Sequence, residues 1–256
     1  MDTLFIEAEY TGTVELCKET INYLKEKNYQ KVGLYSSVQF VNKLETVKKQ
    51  LAENNIAIIT SKPNRANAVS QLLGCDNYHH SLNLKEEELT EIEAYLYIGD
   101  GKFHPLTLVF AQKDTLNKKE VIVNDPIQNK MFLVNESDVK ITLNKYKSSL
   151  MKFLTAHKIG VIITIKPGQE QFQPALALEN KFPEKKFYYF IDNSVSFDQL
   201  ENFPFIEVWV NTACPRIGLD DQEKFARGVI NLNDALRVEE ILGSKSIPGD
   251  ELWPTS

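Results

Sequence analysis

The sequence has few of the residues from which metal sites and disulfide frameworks are built. Its 256 residues include three cysteines, four histidines and three methionines. The cysteines, Cys17, Cys75 and Cys214, are odd in number and far apart, which excludes a disulfide framework, and no CxxC pair suggests zinc. Taken alone, each cysteine is expected to be a small buried hydrophobic residue.

Long apolar runs and targeting segments are also missing. No run approaches the roughly 18 residues that a membrane-spanning helix needs. The opening stretch, MDTLFIEAEY, lacks the basic and apolar regions of a signal peptide. A net charge of −6 provides no overall attraction for nucleic acid or anionic lipid. These absences predict a cytoplasmic protein that contacts neither membrane nor nucleic acid directly.

The residues that are present predict an α/β fold. Hydrophobic residues make up 43% and charged residues 25% of the chain, which is enough for a sizeable core. Short, continuous, β-branched runs indicate strands that are covered on both faces. The predicted strands are Thr3–Glu9, Lys31–Ser36, Ile56–Thr60, Ala94–Ile98, Glu120–Asn124, Ile159–Ile165, Phe187–Ile191 and Ile206–Val210.

Amphipathic stretches alternate with these strands. Helical stripes of apolar residues run through Thr13–Lys27, Gln39–Asn54 and the stretch from Ser137 to about His157. Alternating strands and helices are typical of parallel sheets with helices on their faces. The chain is expected to form two similar units of this kind, over residues 1–135 and 136–256.

Ligands of open parallel sheets bind beyond the carboxyl ends of the strands. One candidate loop there is SQLLGCDNYHH, where a glycine before Cys75 permits close approach of the backbone. Cys75, Asp76, His79 and His80 invite a metal interpretation, although the spacing is not that of a zinc site. The simpler alternative is a half-buried cysteine with surface histidines.

A second candidate is YLYIGDGKFHPL, in which His104 follows a strand and a Gly-Asp-Gly turn. His104 is expected near the carboxyl edge of the sheet, where it either binds a ligand or serves a structural role. Pro105 is suited to the first turn of a helix. A third candidate is IITIKPGQEQ, whose Gln169 precedes a helix start that can accept an anion; the alternative is a plain turn.

The fourth candidate is VNTACPRIGLDD, a strand that ends on a cysteine. Arg216 carries five donors in a fixed fork, which suits a carboxylate. Asp220 and Asp221 are able to pair with Arg216, cap a following helix or bind ribose hydroxyls. Residue chemistry alone leaves these choices open.

Together these motifs resemble the diphthamide synthase family, a group of non-classical radical S-adenosylmethionine enzymes. The matching stretches are LFIEAEY, LYSSVQFVNKLETVKKQL, QLLGCD, YLYIGDGKFHPL, VIITIKPGQ and VWVNTACPRIGLDD. They occur in the family's order and cover nearly the whole chain. The resemblance implies three similar α/β domains that each give one cysteine to a single [4Fe–4S] cluster.

The resemblance also implies a reaction. The family transfers the 3-amino-3-carboxypropyl group of S-adenosylmethionine, as a radical, to a histidine of elongation factor 2, with methylthioadenosine as by-product. This is the first step of diphthamide synthesis. By position, Cys75 and Cys214 match the second and third cluster cysteines. Arg216 matches the family arginine after Cys-Pro and is assigned to the methionine carboxylate, whereas His104 and Gln169 match positions expected to line the cosubstrate pocket. Asp220 is also expected to bind the cosubstrate.

The chain departs from the family pattern in one respect. The family's first domain, with the first cluster cysteine, would precede LFIEAEY, so about one domain of roughly 100 residues is expected to be missing. Cys17 lies on the apolar stripe of a predicted helix and is expected to be a core residue rather than a substitute ligand.

Three interpretations follow from this departure. The chain is a catalytic enzyme whose third ligand comes from a partner chain, from Asp76, from His79 or from solvent. Alternatively it is a non-catalytic accessory relative that binds a partner, or one half of a split enzyme. The expected partners are elongation factor 2 as substrate, and either a second copy of the chain or a partner chain that supplies the missing domain.

Overall fold

The structure is a computed structural model that describes residues 8–113, 115, 117–134, 138–166 and 169–243. It consists of two compact units. The first unit contains Met1–Gln112 and Asn117–Glu136, and the second contains Lys113–Leu116 and Ser137–Ser256. Among the described residues, none of the helices combines the length and the apolar character that a bilayer crossing requires.

The first unit is built around a five-stranded sheet in the order β2-β1-β3-β4-β5. Neighbours β2, β1, β3 and β4 are parallel, whereas β5 runs antiparallel to β4. The strands are β1 (Lys31–Ser36), β2 (Ala57–Ile59), β3 (Ala94–Ile98), β4 (Glu120–Asp125) and β5 (Lys130–Val134). The helices are α1 (Lys18–Glu26), α2 (Glu45–Glu53), α3 (Glu86–Glu91) and α4 (Pro105–Ala111).

The core of the first unit lies between one face of this sheet and the first two helices. Alternate residues of β1 and β3, such as Leu34 and Leu96, pack against Leu24 of α1 and against Val47 and Leu51 of α2. Each of these five side chains is at most 1% exposed. Their apolar burial, at roughly 25 cal/mol per Å², is the main force that holds the helices on the sheet.

The second unit has a four-stranded sheet in the order β7-β6-β8-β9, and all of its pairs are parallel. The strands are β6 (Lys158–Thr164), β7 (Lys186–Asp192), β8 (Val208–Asn211) and β9 (Gly228–Asn231). The helices are α5 (Lys140–Thr155), α6 (Phe172–Lys181), α7 (Phe197–Leu200), α8 (Pro215–Asp220), α9 (Leu232–Leu236) and α10 (Val238–Gly243). Aromatic rings cover part of the sheet, and Trp209 packs edge-on to Phe190 with centroids 4.9 Å apart.

The α/β class with parallel sheets is confirmed, with differences in detail. The sequence did not reveal β5 or β9, and β5 makes the first sheet mixed rather than purely parallel. The predicted strand Thr3–Glu9 falls largely outside the described residues, and the described Ala8 and Glu9 are not in a strand. Helix α1 begins at Lys18 rather than Thr13, because Cys17 occupies its N-cap position.

Candidate functional site

The loop that carries Cys75 is attached to the carboxyl edge of the first sheet. The N–H of Ser36, the last residue of β1, donates to the Ser70 carbonyl at 2.7 Å, and the Leu72 N–H donates to the Ser36 carbonyl at 2.9 Å. Gln71 consequently forms a parallel bridge with Ser36. Cys75 therefore lies three residues after Leu72, the last loop residue that is bonded to β1.

A tight turn follows this bridge and presents Cys75. The Asp76 carboxylate accepts a hydrogen bond from the Leu73 N–H at 2.8 Å, and the Asp76 N–H donates to the Leu73 carbonyl at 3.1 Å. Cys75 is half-buried, whereas Asp76 is 1% exposed. Burial raises the pKa of Asp76 to about 6, although the Leu73 N–H and the charge of Arg65 act in the opposite direction. The Asp76 carboxylate thus stabilises the turn that contains Cys75.

Gly74, immediately before Cys75, is confirmed as a point of close approach. A Cβ at Gly74 would stand 2.5 Å from Cε1 of Phe103, a separation that real Cβ atoms do not tolerate. Phe103 also contacts the His104 ring edge-on, with centroids 5.2 Å apart. The structure thereby places Phe103 between the His104 ring and Gly74, the residue next to Cys75.

His104 lies at the N-cap position of α4, and Pro105 occupies the first turn of that helix as predicted. The His104 ring stacks on Tyr97 of β3, with centroids 6.4 Å apart and an interplanar angle of 11°. Tyr97 is fully buried, and burial raises the pKa of its hydroxyl. The His104 ring is therefore fixed at the carboxyl end of β3.

Cys17 has a different environment from Cys75. It is 5% exposed, its N–H donates to Oδ1 of Asn124 at 2.9 Å, and its Sγ lies 3.2 Å from Oγ1 of Thr20. The prediction that Cys17 is buried is confirmed, but its position within a helix was wrong, since it precedes α1. None of the three cysteines, all within the described residues, forms a disulfide.

In the second unit, β8 passes directly into the Cys214 loop. The Asn211 side chain shapes the turn, because its Nδ2 donates to the Cys214 carbonyl at 3.0 Å and its Oδ1 accepts from the Ala213 N–H at 3.1 Å. Thr212 is bonded to the neighbouring strand, with its Oγ1 donating to the Ile162 carbonyl at 2.9 Å. Cys214 itself is half-buried and occupies the N-cap position of α8.

Asn231, at the end of β9, supports the same loop from the other side. Its Oδ1 accepts from Asn211 Nδ2 at 2.8 Å, and its Nδ2 donates to the Pro215 carbonyl at 2.9 Å. A Cβ at Gly218 would stand 2.3 Å from that Oδ1, so only glycine allows α8 to lie this close to Asn231. Both asparagines are at most 3% exposed, and an isolated buried amide would be costly without these partners.

Arg216 and Asp220 form an ion pair one turn apart on α8. Arg216 is 5% exposed, and its Nε donates to the Asp220 carboxylate. Burial raises the pKa of Asp220, and the charge and hydrogen bond of Arg216 lower it without fully cancelling that effect. Of the choices that the sequence left open, Asp220 pairs with Arg216, whereas Asp221 pairs with Lys224 at 2.8 Å.

Gln169 follows β6 in the same unit. Its N–H donates to the Lys166 carbonyl at 3.0 Å, while Pro167 and Gly168 lie outside the described residues. The predicted sequence of strand, turn and helix is present, because α6 begins at Phe172.

The candidate residues therefore divide between the units. Cys75 and His104 belong to the first unit, and Gln169, Cys214, Arg216 and Asp220 belong to the second. His79 begins a 3-10 turn, and His80 stacks on Tyr78 with centroids 5.3 Å apart. Within the ranges that the structure describes, no group of three or more His, Cys, Asp or Glu side chains is arranged to hold a metal ion.

Comparison with known proteins gives a consistent answer. The model of the family described as "Putative diphthamide synthesis protein" matches residues 1–241. The chain is 28% identical over 254 residues to the 2-(3-amino-3-carboxypropyl)histidine synthase of Pyrococcus horikoshii, covering 94% of this chain and 69% of the relative. It is 26% identical over 230 residues to the synthase of Methanocaldococcus jannaschii, covering 86% of this chain and 56% of the relative.

A solved structure is also similar. It is the crystal structure of Dph2 from Pyrococcus horikoshii with a 4Fe–4S cluster, which matches with a TM-score of 0.70 and 26% identity over 93% of this chain. The present chain spans 65% of the length of that protein chain. Since the family model covers nearly the whole sequence, this chain belongs to the diphthamide synthesis protein family.

Proposed function

We propose that this chain acts as a 2-(3-amino-3-carboxypropyl)histidine synthase, which transfers the 3-amino-3-carboxypropyl group of S-adenosylmethionine to a histidine of elongation factor 2. The observation that carries the proposal is a repeated arrangement. Cys75 and Cys214 each lie half-buried on a loop beyond the carboxyl end of a parallel strand, one in each unit. We further propose that residues 1–135 and 136–256 correspond to the family's second and third domains.

The two thiols suit a [4Fe–4S] cluster, since cysteine thiolates are the usual ligands of such clusters. Both loops are held by backbone and amide hydrogen bonds, so their thiols are presented at defined positions. Cys17 does not fit this role, because its buried Sγ lies against Thr20. When bound, the cluster would supply the electron that cleaves S-adenosylmethionine. The remaining thiolate would come from a partner chain or from a domain supplied separately.

The other candidate residues would bind and orient the cosubstrate. We assign Arg216 to the methionine carboxylate, because a guanidinium fork matches a carboxylate. Asp220 would hold the Nε side of Arg216, so that the guanidinium keeps one orientation. His104, fixed against Tyr97, and Gln169 would line the pocket. A cytoplasmic location belongs to this proposal, because its substrate is an elongation factor.

One observation favours a second candidate, an accessory relative or one half of a split enzyme. The described residues provide two matched cysteines and no group of three metal-binding side chains. Such a chain would bind a partner subunit and complete the cluster only in the complex. Asp76 is a poor substitute for the third ligand, because its carboxylate accepts the Leu73 N–H.

The test is product formation under anaerobic conditions. The chain, reconstituted with iron and sulfide, is incubated with a reductant, S-adenosylmethionine and elongation factor 2, with and without a candidate first-domain polypeptide. We expect methylthioadenosine release and a matching mass increase on one histidine of the factor. Products from the chain alone would support a self-sufficient enzyme, and products only with the added polypeptide would support the split form. Absence of products under both conditions would contradict the proposal.

A further inference from the structure

Phe103 connects the two candidate residues of the first unit. Its Cε1 stands 2.5 Å from where a Cβ on Gly74 would be, and its Cζ stands 3.0 Å from that point. On its other side the ring meets His104 at 90°, with centroids 5.2 Å apart, and His104 stacks on the buried Tyr97. A continuous row of contacts thus runs from β3 to the backbone beside Cys75.

Core packing alone does not explain the position of Phe103. The residue is 53% exposed, so its ring forgoes part of the free energy that full burial would provide. The Cys75 loop is anchored before Gly74 by the Leu72 N–H on Ser36, and after it by the turn of Asp76 onto Leu73. Between these two anchors, the Phe103 ring occupies the space that a Cβ on Gly74 would need.

We propose that Phe103 is a positioning residue for Cys75. Its ring restricts the conformations of the backbone at Gly74. It thereby sets the direction in which the Cys75 side chain points away from the loop. This inference rests on the proposed role of Cys75 as a cluster ligand. Metal sites depend on ligands held within about 0.5 Å of their working positions, and a glycine next to the ligand would otherwise leave that position loosely defined.

The test is a double-mutant cycle on the cluster-free, reduced chain of 256 residues. Gly74→Ala places a methyl group against the Phe103 ring, and Phe103→Ala removes the ring. Alkylation of each cysteine by iodoacetamide is followed by peptide mass spectrometry over a range of pH. Cys214 is the internal reference, and Cys17, which is 5% exposed, reports unfolding. Gly243→Ala is the matched control, because no atom of the described residues lies within 4 Å of a Cβ built there.

We expect Gly74→Ala to change the alkylation rate of Cys75 roughly tenfold, because overpacking of this kind forces the loop to move. Phe103→Ala is expected to change the same rate. In the Phe103→Ala background, Gly74→Ala should add less than about a twofold change, because the methyl group then has room. The rates of Cys17 and Cys214 should stay at their wild-type values in all variants, and Gly243→Ala should match wild type.

An equal effect of Gly74→Ala with and without the Phe103 ring would overturn the proposal, as would an unchanged Cys75 rate. If Phe103→Ala exposes Cys17, the cycle is repeated with Phe103→Leu, and unfolding of that variant too would make Phe103 a core residue instead. Because the chain carries no iron in this assay, the outcome is independent of the proposed catalysis. Loss of the proposed function would leave the alkylation cycle unchanged.

Discussion

At the scale of single residues, the three cysteines have two kinds of environment. Cys17 is enclosed, with its N–H on Asn124 and its Sγ on Thr20. Cys75 and Cys214 are half-buried on loops that follow strands. A thiol needs access to bind iron, so the environments separate a structural cysteine from two candidate ligands more clearly than their spacing in sequence does.

The ion pair of Arg216 leads to a prediction about cosubstrate binding. Arg216→Lys keeps the charge but loses the planar fork. We expect S-adenosylmethionine to bind roughly tenfold more weakly, since hydrogen bonds between charged groups contribute about 1.5–3 kcal/mol. Isothermal titration of the reconstituted protein measures this, with iron content determined in parallel and expected to be unchanged.

Arg237 provides the control for that measurement. Its Nε donates to Glu240 at 3.0 Å, so it also forms an arginine–carboxylate pair, between the C-cap of α9 and α10. Arg237→Lys should leave the affinity at the wild-type value. If Arg216→Lys bound S-adenosylmethionine as tightly as the Arg237→Lys protein, Arg216 would have no role at the methionine carboxylate.

At the scale of elements, Glu120, the first residue of β4, connects that strand to α1 and to the segment that follows α1. It accepts hydrogen bonds from Tyr23 at 2.9 Å, Tyr29 at 2.8 Å and Lys27 at 3.3 Å. Burial alone would raise the pKa of Glu120, but the bonds from Tyr29 and Tyr23 and the charge of Lys27 outweigh it and hold the pKa below 4.5. The ionised form is therefore favoured in the folded state.

This pKa predicts a pH-dependent effect of Glu120→Gln. Because the folded state lowers the pKa, the carboxylate stabilises the protein above the ordinary value of 4.5, and this stabilisation disappears as the pH falls through the lowered pKa. Glu120→Gln should lower the free energy of unfolding by roughly 1 kcal/mol at pH 7, given the partial exposure of the group. The difference should shrink below pH 4.5. Urea titrations at several pH values measure it.

The exposed pair of Lys31 and Glu91 is the matched control. Its side chains are 44% and 54% exposed, so Glu91→Gln should change stability by less than about 0.5 kcal/mol at any of these pH values. If Glu120→Gln lowered the free energy of unfolding by the same amount at every pH, the effect would come from packing rather than from charge.

The sequence predicted the elements that have strong local signals. β1 and β3 were predicted with their observed bounds, since both are continuous apolar runs. β5 and β9 were missed for different reasons. Half-exposed β5 has β4 as its single neighbour among the described strands, and β9 has four residues, of which the first is glycine. Their identity as strands depends on tertiary pairing, which no local pattern records.

The positions of the candidate residues in the fold were predictable in part. His104 and Cys214 follow β3 and β8, as expected from their motifs, whereas Cys75 follows the Ser36–Gln71 bridge rather than a strand. Their supporting residues were not recognised, because Asn211 and Asn231 are 20 residues apart and are joined only by the neighbouring strands β8 and β9. Phe103 stands in the quoted motif next to His104, and the glycine before Cys75 was the signal that a bulky side chain approaches there.

At the scale of the whole molecule, each unit repeats one design. One cysteine lies on a loop at the carboxyl edge of parallel strands, and hydrogen bonds to a neighbouring strand fix that loop. The chain spans 69% of its Pyrococcus horikoshii relative and 56% of its Methanocaldococcus jannaschii relative. In the proposed function, Cys75 and Cys214 would supply two thiolates to one cluster, one from each unit.

Iron content after anaerobic reconstitution, compared among three cysteine variants, tests this account most directly. In the presence of the candidate first-domain polypeptide, we expect about four irons per wild-type complex, the content of one [4Fe–4S] cluster. Cys75→Ala and Cys214→Ala should each lose most of the iron and the associated visible absorbance, whereas Cys17→Ala should retain both. Full iron in the Cys75→Ala and Cys214→Ala proteins, or an equal loss in all three variants, would contradict the account.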